Sequence, residues 1–425
     1  MLSSRSAATT IRPTEGTRRG YGGGSLRRYL CKMSETELSA SHVGPRFLRL
    51  HLTNFLSYRS AVLELSDLVA LVGPNASGKS NAVAAIKLLR EIPFHGLATA
   101  IARRGGFDQL RHRSEGHPYN PAIRLDFRFS GCRESFYELK LGAVAGKRYE
   151  VKHEHAVVHL DEGQASFTHT AGRIEWHQKM EWGTEENPSD RAIRVPQGQS
   201  AVTGGGYAYA GYVVSDVLQT MQTVEINPAR VGDLQEPSST REFEPDGSNT
   251  ASIYETLGTQ SRRELLDELS AIVPGLDRIE LRRLADKVTL AFVQRTGKGE
   301  SRREFLAKQM SDGTLRAFSI LLSMLQPSRP ALVVIEEPEI AIHLGALRTL
   351  VDILQQQSLE SQILITTHSA DIVDTLDVES LRVVWSSDGA SHIAPVAEHT
   401  LEPIRRGLIT PGALLRSDSL DPAIV

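Results

Sequence analysis

From Phe47 onward the chain alternates apolar and polar positions, first in Phe47-Leu48-Arg49-Leu50-His51-Leu52 and then in Ala61-Val62-Leu63-Glu64-Leu65, before the unbroken apolar run 68–72. A period of two predicts strands. Across residues 81–91 the period lengthens, with Ala84, Ile86, Leu88 and Leu89 at helical spacing, and predicts a helix that Pro93 stops. Alternation returns between about 121 and 180, as in Ile123-Arg124-Leu125-Asp126-Phe127 and Tyr149-Glu150-Val151-Lys152-His153. Turn signals at Ser130-Gly131 and Asp161-Glu162-Gly163 divide it into antiparallel strands and hairpins. Residues 183–211 have weak periodicity and read as a long loop. Beyond Val213 a mostly helical stretch is expected, including a helix over 261–272 ended by Pro274-Gly275, and then a two-stranded element over 277–283 and 288–294. A helical run over 317–325 stops before Pro327, and two β-branched-rich apolar runs, 331–335 and 363–367, read as strands buried on both faces of a parallel sheet.

Chemistry gathers at the ends of these elements. The strand ending at Val72 runs into Gly73-Pro74-Asn75-Ala76-Ser77-Gly78-Lys79-Ser80 and Asn81, a Walker A phosphate loop in its strand–loop–helix setting. Phosphate needs closely approaching backbone N–H donors, which Gly73 and Gly78 permit because neither presents a Cβ. The helix starting near Lys79 aims its positive dipole end at the same place. Lys79 adds a point charge for the β- and γ-phosphates, and Ser80 offers a hydroxyl to Mg2+. The loop therefore implies a nucleoside triphosphate. Downstream, Met310-Ser311-Asp312-Gly313-Thr314-Leu315-Arg316 opens the helical run at 317. Strand 331–335 delivers Glu336-Glu337-Pro338-Glu339, a Walker B pattern, and strand 363–367 delivers His368-Ser369, with Ser369 expected to cap the next helix. Open α/β sheets bind ligands at the carboxyl ends of their strands, so these residues should converge on one site.

In this order and at these spacings the motifs resemble the ATP-binding-cassette head ATPases of the RecF, recombination-repair and chromosome-maintenance group. Within it they are most similar to the compact single-chain ATPases whose signature reads Ser-Asp-Gly-Thr and whose Walker B reads Glu-Glu-Pro-Glu. The resemblance runs from about Arg46 to about Pro395 and includes the opening strand through Asn54-Phe55-Leu56-Ser57-Tyr58 and the loop Pro245-Asp246-Gly247-Ser248-Asn249. It implies an α/β P-loop NTPase fold of the ABC-type head, a mixed sheet with an antiparallel β subdomain and a helical second lobe. Residues 45–182 and 329–425 would be the two parts of lobe I, with 183–328 the loop and lobe II. The cofactors implied are ATP and Mg2+.

The resemblance also implies roles for single residues. Glu337 would position or deprotonate the attacking water, and Glu336, one methylene longer than the Asp of many relatives, would assist Mg2+ beside Ser80. His368 matches the switch histidine that contacts the γ-phosphate. Gln109 falls where a Q-loop glutamine would couple Mg2+ to lobe movement. Ser311 and Gly313 would face the nucleotide of a second copy, so that two monomers close head to tail around two ATP molecules. Asp312 stands where transporter cassettes carry glycine, and Leu56 departs from the Arg or Lys that many relatives place there. Arg103, Arg104, Arg111 and Arg113 form a basic loop suited to phosphate of ATP or DNA. The group's roles are DNA repair, DNA-end handling or defence against phage, often beside a separately encoded nuclease or effector. A transporter's cytoplasmic ATPase subunit is the rival from another class, and the signature, the opening strand and the long insertion after Walker A argue against it. A nucleotide-gated scaffold that does not hydrolyse is a second rival, which a retained Glu337 disfavours.

Composition adds limits. No apolar run approaches the ~18 residues of a membrane span. There is no sustained heptad for long coiled-coil arms, and the two cysteines, Cys31 and Cys132, are too few for a disulfide framework, so a reducing cytoplasm is expected. Residues 1–32 hold seven basic residues against Glu15, a net +6, which leaves about −9 for the body of a chain whose total is −3. A body of that balance is not held on nucleic acid by bulk charge, so any DNA contact must be local. Residues 1–44, rich in Ser, Gly and Arg, are expected to be disordered, with Met33 as an alternative start.

Overall fold

A continuously apolar strand needs cover on both faces, and the chain supplies it in layers. The computed structural model describes residues 44–113, 119–146, 148–181, 183–187, 192–295, 301–417 and 420–423; the leader expected to be disordered therefore lies, Gly44 apart, outside the described residues. The chain enters through the hairpin β1 (Arg46–Phe55) and β2 (Tyr58–Glu64) and then β3 (Leu68–Val72). It continues through β4 (Ala122–Arg128), β5 (Ser135–Val144), β6 (Arg148–Leu160), β7 (Gly163–Thr170), β8 (Arg173–Met180), β9 (Gly183–Asn187) and β10 (Ile193–Arg194). All but β3 build a nine-stranded antiparallel sheet, in which β9 and β10 both pair with β8.

The remaining strands complete the other two sheets. β11 (Met221–Val224) is followed by β12 (Leu276–Leu284), β13 (Lys287–Arg295) and β14 (Arg302–Leu306), which form a three-stranded sheet. β15 (Leu332–Glu336), β16 (Gln362–Thr367), β17 (Leu381–Ser387) and β18 (Ala390–Pro395) follow. The central sheet runs β11-β15-β16-β3-β17-β18, parallel except for β18. Alternate residues of its strands feed two different cores. Leu68, Ala70, Val72, Val333, Ile335, Ile363 and Ile365 face the core shared with helices Thr259–Ile272, Asp312–Leu325 and Leu344–Gln357. Val69, Leu71, Leu332, Val334 and Leu364 face the core shared with helix Lys79–Ala102 and the nine-stranded sheet. Each fully buried aliphatic side chain contributes about 1.5–3 kcal/mol, so both layers are tied to the strands that carry the site.

Four expectations change. The helix at 81–91 does not stop at Pro93: helix Lys79–Ala102 runs through it and breaks its geometry only at Gly96 (φ 77°, ψ 156°). Ile92, Pro93, Leu97, Ala100 and Ile101 are all buried, and that packing outweighs the ~3 kcal/mol a proline costs inside a helix. The weakly periodic stretch 183–211 is not all loop, because β9 and β10 pair through backbone groups, which need no alternation of side chains. β11, in the stretch read as helical, joins the parallel sheet beside β15. The two-stranded element has a third strand, β14. No helix among the described residues is long and apolar enough to cross a membrane.

Candidate nucleotide site

The phosphate loop leaves β3 at Gly73, whose φ of 153° and close packing suit only glycine: a Cβ there would lie 2.1 Å from Val384 O. Gly78, at φ 118°, would bring a Cβ to 2.3 Å from Ser391 Oγ. Between them Ala76 also takes a left-handed conformation, at φ 62°. A ring of hydrogen bonds holds the loop from below. Tyr58 donates its buried hydroxyl to Gly78 O at 2.9 Å, while Asn81 Nδ2 and Ser391 Oγ both donate to Ser57 Oγ at 2.7 Å. Lys79 is buried and donates to Gly73 O and Pro74 O at 2.8 and 2.9 Å, so its ammonium spans the loop. Burial lowers its pKa, opposed by the charges of Glu337 and Glu339. Pro74, Asn75, Ala76 and Ser80 are exposed, whereas Ser77 is buried with an Oγ that has no partner.

The carboxylates come from the neighbouring strand. β15 ends at Glu336, whose Oε1 lies 2.7 Å from Lys87 Nζ, and Lys87 also reaches Glu225 Oε2 at 2.7 Å. Burial works against the Lys87 charge, but the two carboxylates prevail and raise its pKa. Glu337 follows in a left-handed conformation, φ 46°, held by its N–H donating to Thr366 O at 2.9 Å. Such a conformation costs a non-glycine residue about 1 kcal/mol or more and is retained where the surroundings demand it. His368, at the tip of β16, places Nδ1 3.7 Å from Glu337 Oε1 and 3.5 Å from Glu339 Oε1. The Walker A loop, Glu337 and His368 thus meet at the carboxyl ends of adjacent parallel strands.

The other predicted residues are placed as follows. Ser311 is exposed and caps helix Asp312–Leu325, its Oγ accepting from Thr314 N at 3.3 Å. Gly313 packs so closely on the turn after Glu337 that a Cβ would lie 2.3 Å from Ala341 O. Ser369 caps the helix Ala370–Val373, as expected. Gln109 sits exposed on helix Phe107–Leu110, its Oε1 accepting from Arg113 Nη2 at 3.2 Å. Of the basic loop, Arg104 makes two hydrogen bonds to Glu91, at 3.0 and 3.1 Å, Arg103 lies 3.7 Å from Glu91, and Arg111 lies 3.5 Å from Asp108.

Three residues escaped the motif reading: Lys87, which pairs with Glu336, Glu339, and Arg316. Burial lowers the pKa of Arg316 against the charges of Asp312 and Glu337, and its Nε is buried without a partner. Only Glu339 and Arg316 carried a signal, since both stand inside motifs already recognised. The donor set fits a triphosphate with Mg2+. Ser77 Oγ and Glu339 Oε2 are buried polar atoms lacking a protein partner, beside a lysine, a hydroxyl and carboxylates. No group of three or more His, Cys, Asp or Glu among the described residues is arranged to hold a metal.

Comparison with known proteins agrees with this geometry. The profile of the family described as "AAA domain, putative AbiEii toxin, Type IV TA system" matches residues 68–160 and 222–374, more than half of the chain, including every motif of the site. No curated protein sequence matches. A solved SMC head bound to the C-winged helix domain of ScpA is similar with a TM-score of 0.53 at 15% identity, over 84% of this chain and 99% of that one. The SMC head domain from Thermotoga maritima has a TM-score of 0.42 at 17% identity, covering 83% and 99%. The Smc head domain with an extended coiled coil from Pyrococcus furiosus, bound to the C-terminal domain of ScpA, has 0.49 at 13%, covering 86% and 99%. The first likeness shows that the fold is that of the SMC head. With the family profile spanning the phosphate loop, residues 310–316, the carboxylate turn and His368 alike, the chain belongs to this family of AAA domains.

Proposed function

We propose that the chain is a Mg2+-dependent ATPase that acts in the cytoplasm as a nucleotide-operated switch, two copies closing head to tail around two ATP molecules, in DNA repair, recombination or defence against phage. One observation carries this reading: Lys79, Glu337 and His368 stand at the ends of adjacent strands β3, β15 and β16, with the lysine in the field of the carboxylates. Lys79 and the backbone N–H groups of residues 75–81 hold the phosphates. Ser80 and Glu336 would hold Mg2+, with Gln109 brought to it by lobe movement. Bound there, Mg2+ neutralises charge on the phosphate oxygens. Glu337 orients a water molecule and takes its proton, and His368 contacts the terminal phosphate. Positioning and charge dominate such a reaction, and a head that serves as a switch turns over slowly.

Closure of two copies is supported by what surrounds the site. Ser311 is exposed at the start of its helix, and Ile340 and Leu344, 41% and 45% exposed, flank the turn beyond Glu337 with apolar surface. The movement would be read by a separately encoded effector or nuclease, as the similar SMC head is bound to the C-winged helix domain of ScpA. Direct contact with DNA has less support, because Glu91 and Asp108 already engage Arg103, Arg104 and Arg111. The test is light scattering on Glu337→Gln, which should convert from monomer to dimer on adding ATP and Mg2+, and should fail to do so when Ser311→Arg is added. A Glu337→Gln protein that stays monomeric at saturating ATP would remove the closing dimer.

A further inference from the structure

Glu339 lies two residues beyond Glu337 and has no part in the roles set out above. One of its oxygens is fully engaged: Oε1 accepts from Thr367 Oγ1 at 2.7 Å and from the His368 N–H at 3.2 Å, and stands 3.5 Å from His368 Nδ1. Thr367 Oγ1 in turn accepts from Ser369 N at 2.9 Å, so the backbone on both sides of His368 is tied to one carboxylate. The other oxygen, Oε2, is buried without a partner on a side chain 11% exposed. A carboxylate kept half satisfied in that way costs stability, since a buried acceptor left unpaired forfeits about 1–3 kcal/mol. Stitching β15 to β16 does not require it, because their backbone ladder already does that.

We infer that Glu339 is a positioning residue, which clamps the switch histidine to the turn that carries Glu337 and so makes the site's preference for triphosphate over diphosphate depend on it. The inference rests on the reading of this site as a nucleotide switch. His368 can touch a terminal phosphate only when one is present. Loosening His368 should therefore weaken triphosphate binding and leave diphosphate binding alone, whereas general damage to the loop would weaken both.

Calorimetric titration of the full chain with a non-hydrolysable ATP analogue and with ADP, both with Mg2+, separates these cases. Glu339→Ala should bind the analogue about tenfold more weakly and ADP within about twofold of the unaltered chain, the loss expected of one hydrogen-bonded contact to a charged group. Glu339→Gln, whose amide oxygen can accept the same two donors, should restore the preference. Thr367→Val, which removes the hydroxyl from the other side with little change of shape, should weaken the analogue selectively, and serves if Glu339→Ala does not fold. Equal losses for both nucleotides, no loss in Glu339→Ala, or a Glu339→Gln as poor as Glu339→Ala would overturn the inference while leaving the site reading in place. Failure of the unaltered chain to bind either nucleotide would overturn the site reading, and the inference with it.

Discussion

Lys79 and Glu337 lie at one site, and the proposed function gives them different work that their substitutions should separate. Lys79 spans the phosphate loop from a buried position, so Lys79→Ala removes the main charge partner of the phosphates, and equilibrium binding of ATP should be largely abolished. Glu337 sits in a left-handed turn beside the phosphate loop, its N–H donating to Thr366 O and its carbonyl accepting from Ile340 N. Glu337→Gln keeps its shape and loses only its basicity, so ATP should bind normally while phosphate release falls by about two to four orders of magnitude, the range that general-base catalysis contributes. Equal binding losses in the two variants would show that the roles are wrongly divided. The strain at Glu337 was not legible in the sequence, because glutamate has no preference for a left-handed conformation. It follows from the strand's end meeting Thr366 of β16, twenty-nine positions away.

At the scale of elements, the helices that dock on the central sheet carry one polar junction with a pH-dependent cost. Glu268 on helix Thr259–Ile272 accepts from Gln357 Nε2 at 2.5 Å, while its Oε2 is buried without a partner. Burial pushes its carboxyl up to about 6, opposed by the Gln357 hydrogen bond and reinforced by the charge of Glu264. Between its ordinary value and about 6 the folded state binds more protons than the unfolded one, so stability falls as pH rises through that window. Glu268→Gln should therefore raise stability at pH 7 by about 1–2 kcal/mol and flatten the profile between pH 4.5 and 6, as read from denaturant midpoints across a pH series. A loss of stability at neutral pH would show that the carboxylate is favourable there. Such junctions lie outside sequence reasoning for a simple reason. Glu268 and Gln357 belong to different helices, each of which looks ordinary alone.

For the whole molecule, the arrangement of two cores on one sheet predicts shared stability. Leu364 and Ile365 are neighbours on β16 that point into opposite cores, and both are fully buried. Leu364→Ala and Ile365→Ala should each cost about 2–5 kcal/mol. Because β16 belongs to both layers, each should shift the unfolding monitored by fluorescence of Trp176, in the nine-stranded sheet, and of Trp385, on β17, together. Two separate transitions, each moved by only one substitution, would mean that the layers unfold independently.

The sequence by itself determined the apolar runs that become β3, β15 and β16 and the motifs at their ends, because each is written in contiguous residues. The backbone chemistry of a phosphate loop, a helix start at Ser311 or a strand buried on both faces depends on neighbours a few positions away. It also carried the order of those motifs, which was enough for the fold class. The tertiary structure alone decided the partners. Lys87 engages Glu336 from the neighbouring layer, Glu91 takes up Arg104, β11 slides in beside β15 through backbone bonds that leave no side-chain pattern, and Glu339 reaches across to Thr367 and His368. Pro93 stays inside its helix because the surrounding core outweighs a local penalty. In each case the deciding contact joins elements that only the fold brings together.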